Sequence, residues 1–469
     1  MFSFNKMFDH NALFTEFDIW SYKKLSDISN KIVHSINKRS LVFLLCTNTP
    51  ESIAGYVGCL NHGIVPVMLD AEMGSEFLIR LTDLYRPFCF WLPRKRAEDF
   101  PAYEKIFSLD GYVLLATSEE NPFPLHEELA LLMSTSGSTG SPKLVRLSYE
   151  NIRANKDSII KYLGIDEHER SITNLPMHYV YGLSIINTHL AVGASLVVTD
   201  KTMFQKEFWQ LFKEKRVTNF GGVPYTFEML HRLRFSRMEM PQLRTITQAG
   251  GKLDVELHRE FADYAERQGK NFVVMYGAAE ATARMGYLPP KESLRKCGSM
   301  GIAIPGGRFE LLDEEGNVIE RADTQGELVY HGPNVMMGYA ECGEDLARGD
   351  EMQGTLRTGD LAERDDDGFY RIVGRKKQFL KMFGKRTNLE EVEHLLRQHF
   401  AVTEVACGGV DDRMYAFLTE DPIAGDVISY LSATLGLHPS AFCVKCLAAI
   451  PRNSSGKTLY RELEQYYGL

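Results

Sequence analysis

Leu129-Ala130-Leu131-Leu132-Met133 runs directly into Ser134-Thr135-Ser136-Gly137-Ser138-Thr139-Gly140-Ser141-Pro142-Lys143. The first five residues form a continuous apolar run, the pattern of a strand buried on both faces. The next ten hold six hydroxyl residues, two glycines and one lysine. Glycine lets backbone N–H groups approach a ligand, the hydroxyls add donors, and Lys143 adds a positive charge. A strand that empties into such a loop makes a cradle for a polyphosphate. A solvent-exposed Ser/Gly turn is the competing reading, and the strand just before the loop favours the cradle. A P-loop NTPase fails on spacing. Gly456-Lys457-Thr458 could end that motif, but Pro451 stands where its first glycine belongs.

Working outward, Leu41–Cys46 reads as a strand, Pro50–Asn61 as a helix and Ile64–Leu69 as a second strand. Ser195–Thr199 and Phe272–Met275 add short β runs. Strands separated by helices predict an α/β protein of layered sheets. From about residue 300 the texture changes to hairpins, with strands over Phe309–Asp313, Gly326–Tyr330 and Phe369–Val373 and turns at Glu315-Gly316-Asn317 and Asp367-Gly368. This is a β-rich subdomain of the large N-terminal domain. Beyond Gly374-Arg375, Asn388 caps a helix whose Leu389, Val392, Leu395 and Leu396 share one face. We therefore expect a large domain over 1–376 and a small α+β domain over 377–469.

A chain of 469 residues fits about three domains, or one large domain plus a smaller one. Its 53 Lys and Arg against 62 Asp and Glu leave a net charge of −9. Nothing in that balance asks for a nucleic acid or an anionic membrane as the main partner. No apolar run approaches the ~18 residues of a membrane span. The acidic residues among Met1–Leu25 argue against a signal peptide. The eight cysteines are scattered, mostly in apolar stretches, and read as buried thiols in a reducing compartment. Cys443 and Cys446 form a CxxC without a second pair for zinc, inside a strand-like run. The expectation is a soluble, cytoplasmic protein.

Five motifs in order along the chain carry a resemblance. The 134–143 loop is the first. Tyr276-Gly277-Ala278-Ala279-Glu280 resembles a YGxTE motif, and Arg357-Thr358-Gly359-Asp360 a TGD motif. Gly374-Arg375 through Lys381 and Gly384 resembles GRxxxxIKxxG, and Pro451-Arg452-Asn453-Ser454-Ser455-Gly456-Lys457 resembles PRxxxGK. Together they resemble the adenylate-forming superfamily of acyl-CoA synthetases, peptide-synthetase adenylation domains and luciferases. The resemblance spans the chain. It implies that ATP and Mg²⁺ convert a carboxylic acid to an acyl-adenylate, and that the acyl group then passes to a thiol. The acceptor is coenzyme A, or alternatively the phosphopantetheine of an acyl or peptidyl carrier protein.

The resemblance assigns roles residue by residue. Lys457 bridges the carboxylate and α-phosphate oxygens as a point charge, with Lys143 and Lys381 as further active-site lysines. Ser134, Thr135, Ser136, Gly137, Ser138, Thr139 and Gly140 cradle phosphates. Gly250, Gly251, Tyr276, Gly277, Ala278 and Ala279 complete the nucleotide site. Tyr276 offers adenine a flat face, Asp360 grips the ribose hydroxyls and Arg375 holds the same nucleotide. Glu280 gives Mg²⁺ a hard oxygen ligand. Lys377 is the pivot about which the small domain moves, and Gly384 lines the path of the thiol. One departure is Ala279, where the family carries a threonine. The lost hydroxyl leaves Thr282 or the loop hydroxyls to compensate, or else a nucleotide-binding homologue without catalysis.

For the acid, Asn174 through Leu183 resembles the acyl-binding segment, with His178, Tyr179, Val180 and Gly182 as pocket candidates. Val180 stands where amino-acid activators carry an aspartate for the substrate ammonium. Valine there points to a non-amino carboxylic acid as the small-molecule substrate. For His178 a satisfied core histidine is the competing reading.

Overall fold

The computed structural model describes all residues except 5–6, 37, 119–121, 135–142, 376–378, 384, 401, 403, 420–423, 453–457 and 469. By packing, the chain divides into two compact units. One comprises Met1–Phe309 with Tyr330–Leu356, the other Glu310–Val329 with Arg357–Leu469.

Two large sheets build the first unit. In one, Val65–Asp70, Leu41–Cys46 and Cys89–Pro93 run parallel beside Leu129–Ser134. Antiparallel neighbours flank them: Leu144–Ser148 and Gly338–Ala340 on one side, Tyr112–Ala116 and Glu104–Leu109 on the other. Every residue of Leu41–Cys46 is buried, as a central strand covered on both faces requires. In the other sheet, Asn11–Phe14, Ser195–Val197, Arg170–Ile172, Asn219–Gly222, Thr245–Gln248 and Asn271–Tyr276 are parallel in that spatial order.

Parallel strands need crossovers, and helices supply them. Pro50–Asn61 and Tyr149–Leu163 pack on the first sheet, while Tyr22–His34 and Val180–Val192 pack on the second. The helices also pack in pairs, Tyr22–His34 on Pro50–Asn61 and Tyr149–Leu163 on Val180–Val192, and all four contribute to one apolar core. Their ends follow from local chemistry. Thr49 caps Pro50–Asn61 with proline in its first turn. Ser148 and Asn151 form a reciprocal capping box on Tyr149–Leu163, at 3.0 and 2.9 Å. Val180–Val192 ends at Gly193 with φ 82°, the left-handed conformation glycine adopts without strain.

The second unit holds a four-stranded sheet ordered Arg308–Leu312, Gly326–His331, Thr355–Arg364, Tyr370–Arg375. It also holds the hairpin Phe379–Met382/Lys385–Asn388 and a three-stranded sheet of Val405–Val410, Arg413–Leu418 and Phe442–Cys446. Helix Leu389–Phe400 buries Val392 and Leu396 there, and Leu395 is only partly covered.

The layered α/β fold with a β-rich part and a smaller α+β part stands as expected. The cysteines need a correction. Cys46, Cys59, Cys89 and Cys407 are buried, but Cys297, Cys342 and Cys443 are half-buried and Cys446 is exposed. Cys446 closes the strand Phe442–Cys446, where the apolar run ends and the side chain leaves the core. All eight are free thiols. Among the described residues no helix is long and apolar enough to cross a membrane.

One buried histidine makes the first unit acid-sensitive. His189, 1% exposed in the helix layer, has Nδ1 at 2.9 Å from the Ile185 carbonyl. Burial pushes its pKa down from the usual 6.5 to about 4. Below pH 6.5 the unfolded chain takes up a proton that the folded chain refuses. Its contribution is therefore present above pH 6.5 and lost as pH falls toward 4, on the order of 3 kcal/mol in full. Urea unfolding midpoints measured from pH 7.5 to 4.5 should fall on acidification, and His189→Gln should flatten that slope. Parallel slopes would show that His189 titrates normally.

Candidate active site

In open parallel sheets, ligands gather at the carboxyl ends of the strands. Three strands of the second sheet deliver expected residues to that edge. Asn271–Tyr276 ends at Tyr276 and continues into Gly277-Ala278-Ala279-Glu280. Thr245–Gln248 is followed by Gly250 and Gly251. The stretch after Arg170–Ile172 leads to His178, Tyr179 and Val180. Ser134 ends its own strand opposite Leu144. Thr135, Ser136, Gly137, Ser138, Thr139 and Gly140 lie outside the described residues, as do Lys377, Gly384 and Lys457.

Lys143, at the far end of that loop, is placed by the strand it precedes. Leu144–Ser148 pairs with Gly338–Ala340, with Leu144 opposite Ala340. The Lys143 ammonium consequently sits 3.7 Å from the centre of the Tyr339 ring and 3.3 Å from a Glu341 carboxylate oxygen. A cation over an aromatic face is favourable. The Tyr339 hydroxyl donates to Glu280 Oε1 at 2.9 Å. Burial and the Glu280 charge both push the Tyr339 pKa up, so it stays protonated and remains a donor. Lys143, Tyr339 and Glu280 thus form one connected chain. Neither Tyr339 nor Glu341 carries a sequence signal, because each meets the motif only through strand pairing.

The turn that presents Glu280 is tightly built. A Cβ on Gly277 would stand 1.8 Å from the Ala283 carbonyl oxygen, so only glycine lets the chain fold back so closely. Ala279–Ala281 makes a single 3₁₀ turn ending at Thr282 with φ 65°. The Thr282 hydroxyl donates to the Asn334 carbonyl at 2.7 Å, buried. Its proton is therefore committed, and Thr282 does not replace the hydroxyl missing at Ala279. The Asn334 amide bonds the carbonyls of Ala281 and Arg284, both at 2.9 Å. Met336 N–H donates to the Glu280 carbonyl at 2.9 Å.

No group of three or more His, Cys, Asp or Glu gathers to hold a metal among the described residues. A single carboxylate such as Glu280 fits Mg²⁺, which keeps several waters and shares its coordination with substrate phosphates.

The expected acyl segment lies in the same unit, with Leu175, Met177 and Val180 buried and His178 and Tyr179 half-buried. Tyr179 is the N-terminal flanking residue of helix Val180–Val192, Val180 is 7% exposed and Gly182 sits in its first turn. Gly250, at φ 90°, lies so close to Tyr179 that an added Cβ would meet its hydroxyl at 2.6 Å. His178 Nε2 lies 3.6 Å from Asp70 Oδ2. Burial lowers the His178 pKa against the opposing pull of Asp70, leaving it neutral at pH 7. Arg284, four residues beyond Glu280, carries its guanidinium 4.0 Å above the Tyr181 ring. An arginine so soon after the Tyr276–Glu280 motif was the available signal for it.

In the second unit, Asp360 and Arg375 face each other across the antiparallel pair Thr355–Arg364/Tyr370–Arg375. Arg375 Nε donates to Asp360 Oδ1 at 2.8 Å, with the Asp360 side chain 7% exposed and Arg375 50%. Lys381 belongs to the strand Phe379–Met382.

Gly277→Ala should destabilise the protein by more than ~2 kcal/mol, as an overpacked site against rigid backbone does. Urea titration of the two forms is the check, and equal midpoints would contradict the contact.

The chain matches the AMP-binding enzyme family over residues 4–340. Indoleacetate–CoA ligase of Aromatoleum aromaticum is 27% identical over 492 residues, covering 96% of this chain and 94% of that protein. The 2-succinylbenzoate–CoA ligase of Bacillus subtilis is 27% identical over 446 residues, covering 92% and 89%. The solved structure of o-succinylbenzoate coenzyme A synthetase from Bacillus subtilis in complex with AMP matches with a TM-score of 0.78 at 23% identity, over 98% of this chain and 96% of that one. ATP-bound MatB from Rhodopseudomonas palustris matches with a TM-score of 0.80 at 21% identity, over 99% and 97%. At such identities the structural likeness is one of fold. The family match covers well over half of the chain, which therefore belongs to the AMP-binding enzymes.

Proposed function

We propose that this enzyme joins a non-amino carboxylic acid to AMP at the expense of ATP and then passes the acyl group to the thiol of coenzyme A. The observation that carries this reading is the Lys143–Tyr339–Glu280 chain, at 3.7 and 2.9 Å, beside the end of the donor-rich loop. The relatives named as CoA ligases support the acceptor. A carrier-protein thiol remains an outcome of the test below.

In the first half-reaction a carboxylate oxygen attacks the α-phosphorus, the bond to the bridging oxygen breaks and pyrophosphate leaves. In the second, the thiol sulfur attacks the acyl carbon, the bond to AMP breaks and the thiol proton is released. Both halves bring anions or electron-rich atoms together, so positioning and charge neutralisation are the main tasks. Lys457 takes the bridging role between carboxylate and α-phosphate, and Lys143 neutralises phosphate charge from the loop. Asp360 and Arg375 hold the ribose side of the nucleotide. Glu280 would hold Mg²⁺, which supplies charge neutralisation at the phosphates when bound. The Tyr339 hydroxyl orients the Glu280 carboxylate for that purpose. Residues 377–469 act as the small mobile domain, turning about Lys377 relative to residues 1–376. Free thiols such as Cys446 fit work in a reducing cytoplasm.

Pyrophosphate release with ATP and Mg²⁺ over a panel of fatty, aryl and amino acids, with and without CoA, tests the reading. We expect a signal from non-amino acids and turnover with CoA. Release without CoA turnover would point to a carrier protein, and silence with ATP bound to a non-catalytic homologue. Lys457→Ala should abolish adenylation, by at least about a hundredfold, and keep the folded far-UV spectrum. Wild-type adenylation by that variant would overturn the assignment. Lys377→Pro should slow thioester formation more than adenylation, read by single-turnover kinetics of the two halves.

A further inference from the structure

Asn48 joins the two sheets of the first unit. It follows strand Leu41–Cys46 of the first sheet, and the next residue, Thr49, caps helix Pro50–Asn61. Its side chain turns to neither. Nδ2 donates to the Thr173 carbonyl at 2.6 Å and to the Leu175 carbonyl at 3.2 Å, and Oδ1 accepts from the Met177 N–H at 3.2 Å. Among the described residues, every hydrogen bond of this side chain goes to the stretch that follows strand Arg170–Ile172 in the second sheet. The helix start does not depend on it, since Thr49 Oγ1 takes the Ser52 N–H at 3.4 Å.

The stretch it holds cannot hold itself. From Thr173 to Tyr179 the chain is neither helix nor strand, and buried backbone groups need partners from elsewhere. Thr173 and Leu175 are both buried. A side-chain amide is the uncharged group that offers donors and an acceptor together, and Asn48 uses both kinds on residues 173, 175 and 177. Further contacts secure the same stretch. Ser52 Oγ lies 3.1 Å from Met177 Sδ, Asp70 faces His178 at 3.6 Å, and Asn174 Nδ2 donates to the Gly221 carbonyl at 2.6 Å. Ser52 and Asp70, like Asn48, come from the first sheet and its helix.

We infer that Asn48 is a positioning residue for the acid: it sets the backbone of residues 173–177 and so fixes where His178 and Tyr179 meet the substrate. The inference deepens the ligase reading and rests on it. Tyr179 follows the Met177 bond by two residues, and its hydroxyl abuts Gly250, where an added Cβ would lie 2.6 Å away. A displaced stretch therefore displaces that ring. A misplacement of about 1 Å in a positioning element can cost about a hundredfold in rate. The residues assigned to phosphate and Mg²⁺ are held by other means. Asn334, Met336 and Tyr339 bond the turn that carries Glu280, and Lys143 rests on Tyr339 and Glu341. Asn48 takes part in none of these contacts, so its loss falls on the acid rather than on ATP.

The test compares wild type with Asn48→Ala and Asn48→Asp on acetate, butyrate, hexanoate, octanoate, benzoate and phenylacetate, with ATP, Mg²⁺ and CoA. Pyrophosphate release gives separate KM values for the best of these acids and for ATP. Asn48→Ala should raise the acid KM by at least about tenfold and leave the ATP KM within about twofold. Asn48→Asp keeps the size and the acceptor for Met177 but sets a carboxylate against two carbonyls, so it should do no better than Asn48→Ala. Hydrogen exchange at the Met177 amide should quicken in both variants. A merely structural role predicts a lower Tm with the two KM values rising together, or a wild-type acid KM in Asn48→Asp, and either result overturns the inference. An active wild type whose acid KM is unchanged in Asn48→Ala overturns it too and leaves the ligase reading standing. A wild type that releases no pyrophosphate with any of the acids sinks the ligase reading, and this inference falls with it. Should Asn48→Ala fail to fold, Asn48→Asp and Asn48→Ser carry the comparison.

Discussion

The first unit depends on a seam of five hydrogen bonds between residues 334–339 and the turn after strand Asn271–Tyr276. Asn334 bonds the carbonyls of Ala281 and Arg284, Thr282 bonds back to the Asn334 carbonyl, Met336 bonds the Glu280 carbonyl, and Tyr339 bonds the Glu280 carboxylate. Strand Gly338–Ala340 belongs to one sheet and Asn271–Tyr276 to the other. The seam therefore stitches the two sheets together at the edge where the functional residues gather. Each buried polar group in it has a partner, which is what makes such a join rigid. Glu280 is oriented by the seam, Lys143 is placed through the strand paired to it, and Arg284 emerges from its far end. One structural device fixes the place of all three side chains.

How much of this was legible in the residues follows from the range of the forces involved. Helix Pro50–Asn61 could be bounded to the residue, because a capping threonine and a first-turn proline act within a few positions. Leu41–Cys46 was equally plain, since a central parallel strand is apolar throughout. The strands after residue 300 shifted by one or two positions, as terminal residues are decided by pairing partners elsewhere in the chain. Nothing local announces Tyr339 as the partner of Glu280, 59 residues away. The same holds for Arg146, wholly buried and paired with Glu351. In the site, the motifs located the turns and the loop edge but said nothing of Asp70 beside His178. Thr282 looked like a replacement hydroxyl until its left-handed backbone and its bond to Asn334 fixed where that hydroxyl points.

Charge placement separates the groups that are already satisfied from those that are not. Arg146 lies deep but meets Glu351 and several carbonyls, a closed arrangement with no capacity left for a ligand. Asp360 and Arg375 meet across two strands with the arginine half exposed. An ion pair open to water is worth about 0–1 kcal/mol, and here only the arginine end is open. Lys143 is similar: a partly exposed ammonium rests on Tyr339 and Glu341. Both cations keep a share of their hydration.

Arg284 differs in kind. Its guanidinium is buried, and among the described residues it meets the Tyr181 ring face, the Ala283 carbonyl and the Met275 sulfur rather than a carboxylate. Asn155 and Asn334 both bond its carbonyl, so the backbone cannot carry it to the surface. Polar and aromatic partners thus do inside the core what water does for Arg375 and Lys143, because a buried cation persists only where each donor finds an acceptor or a ring face.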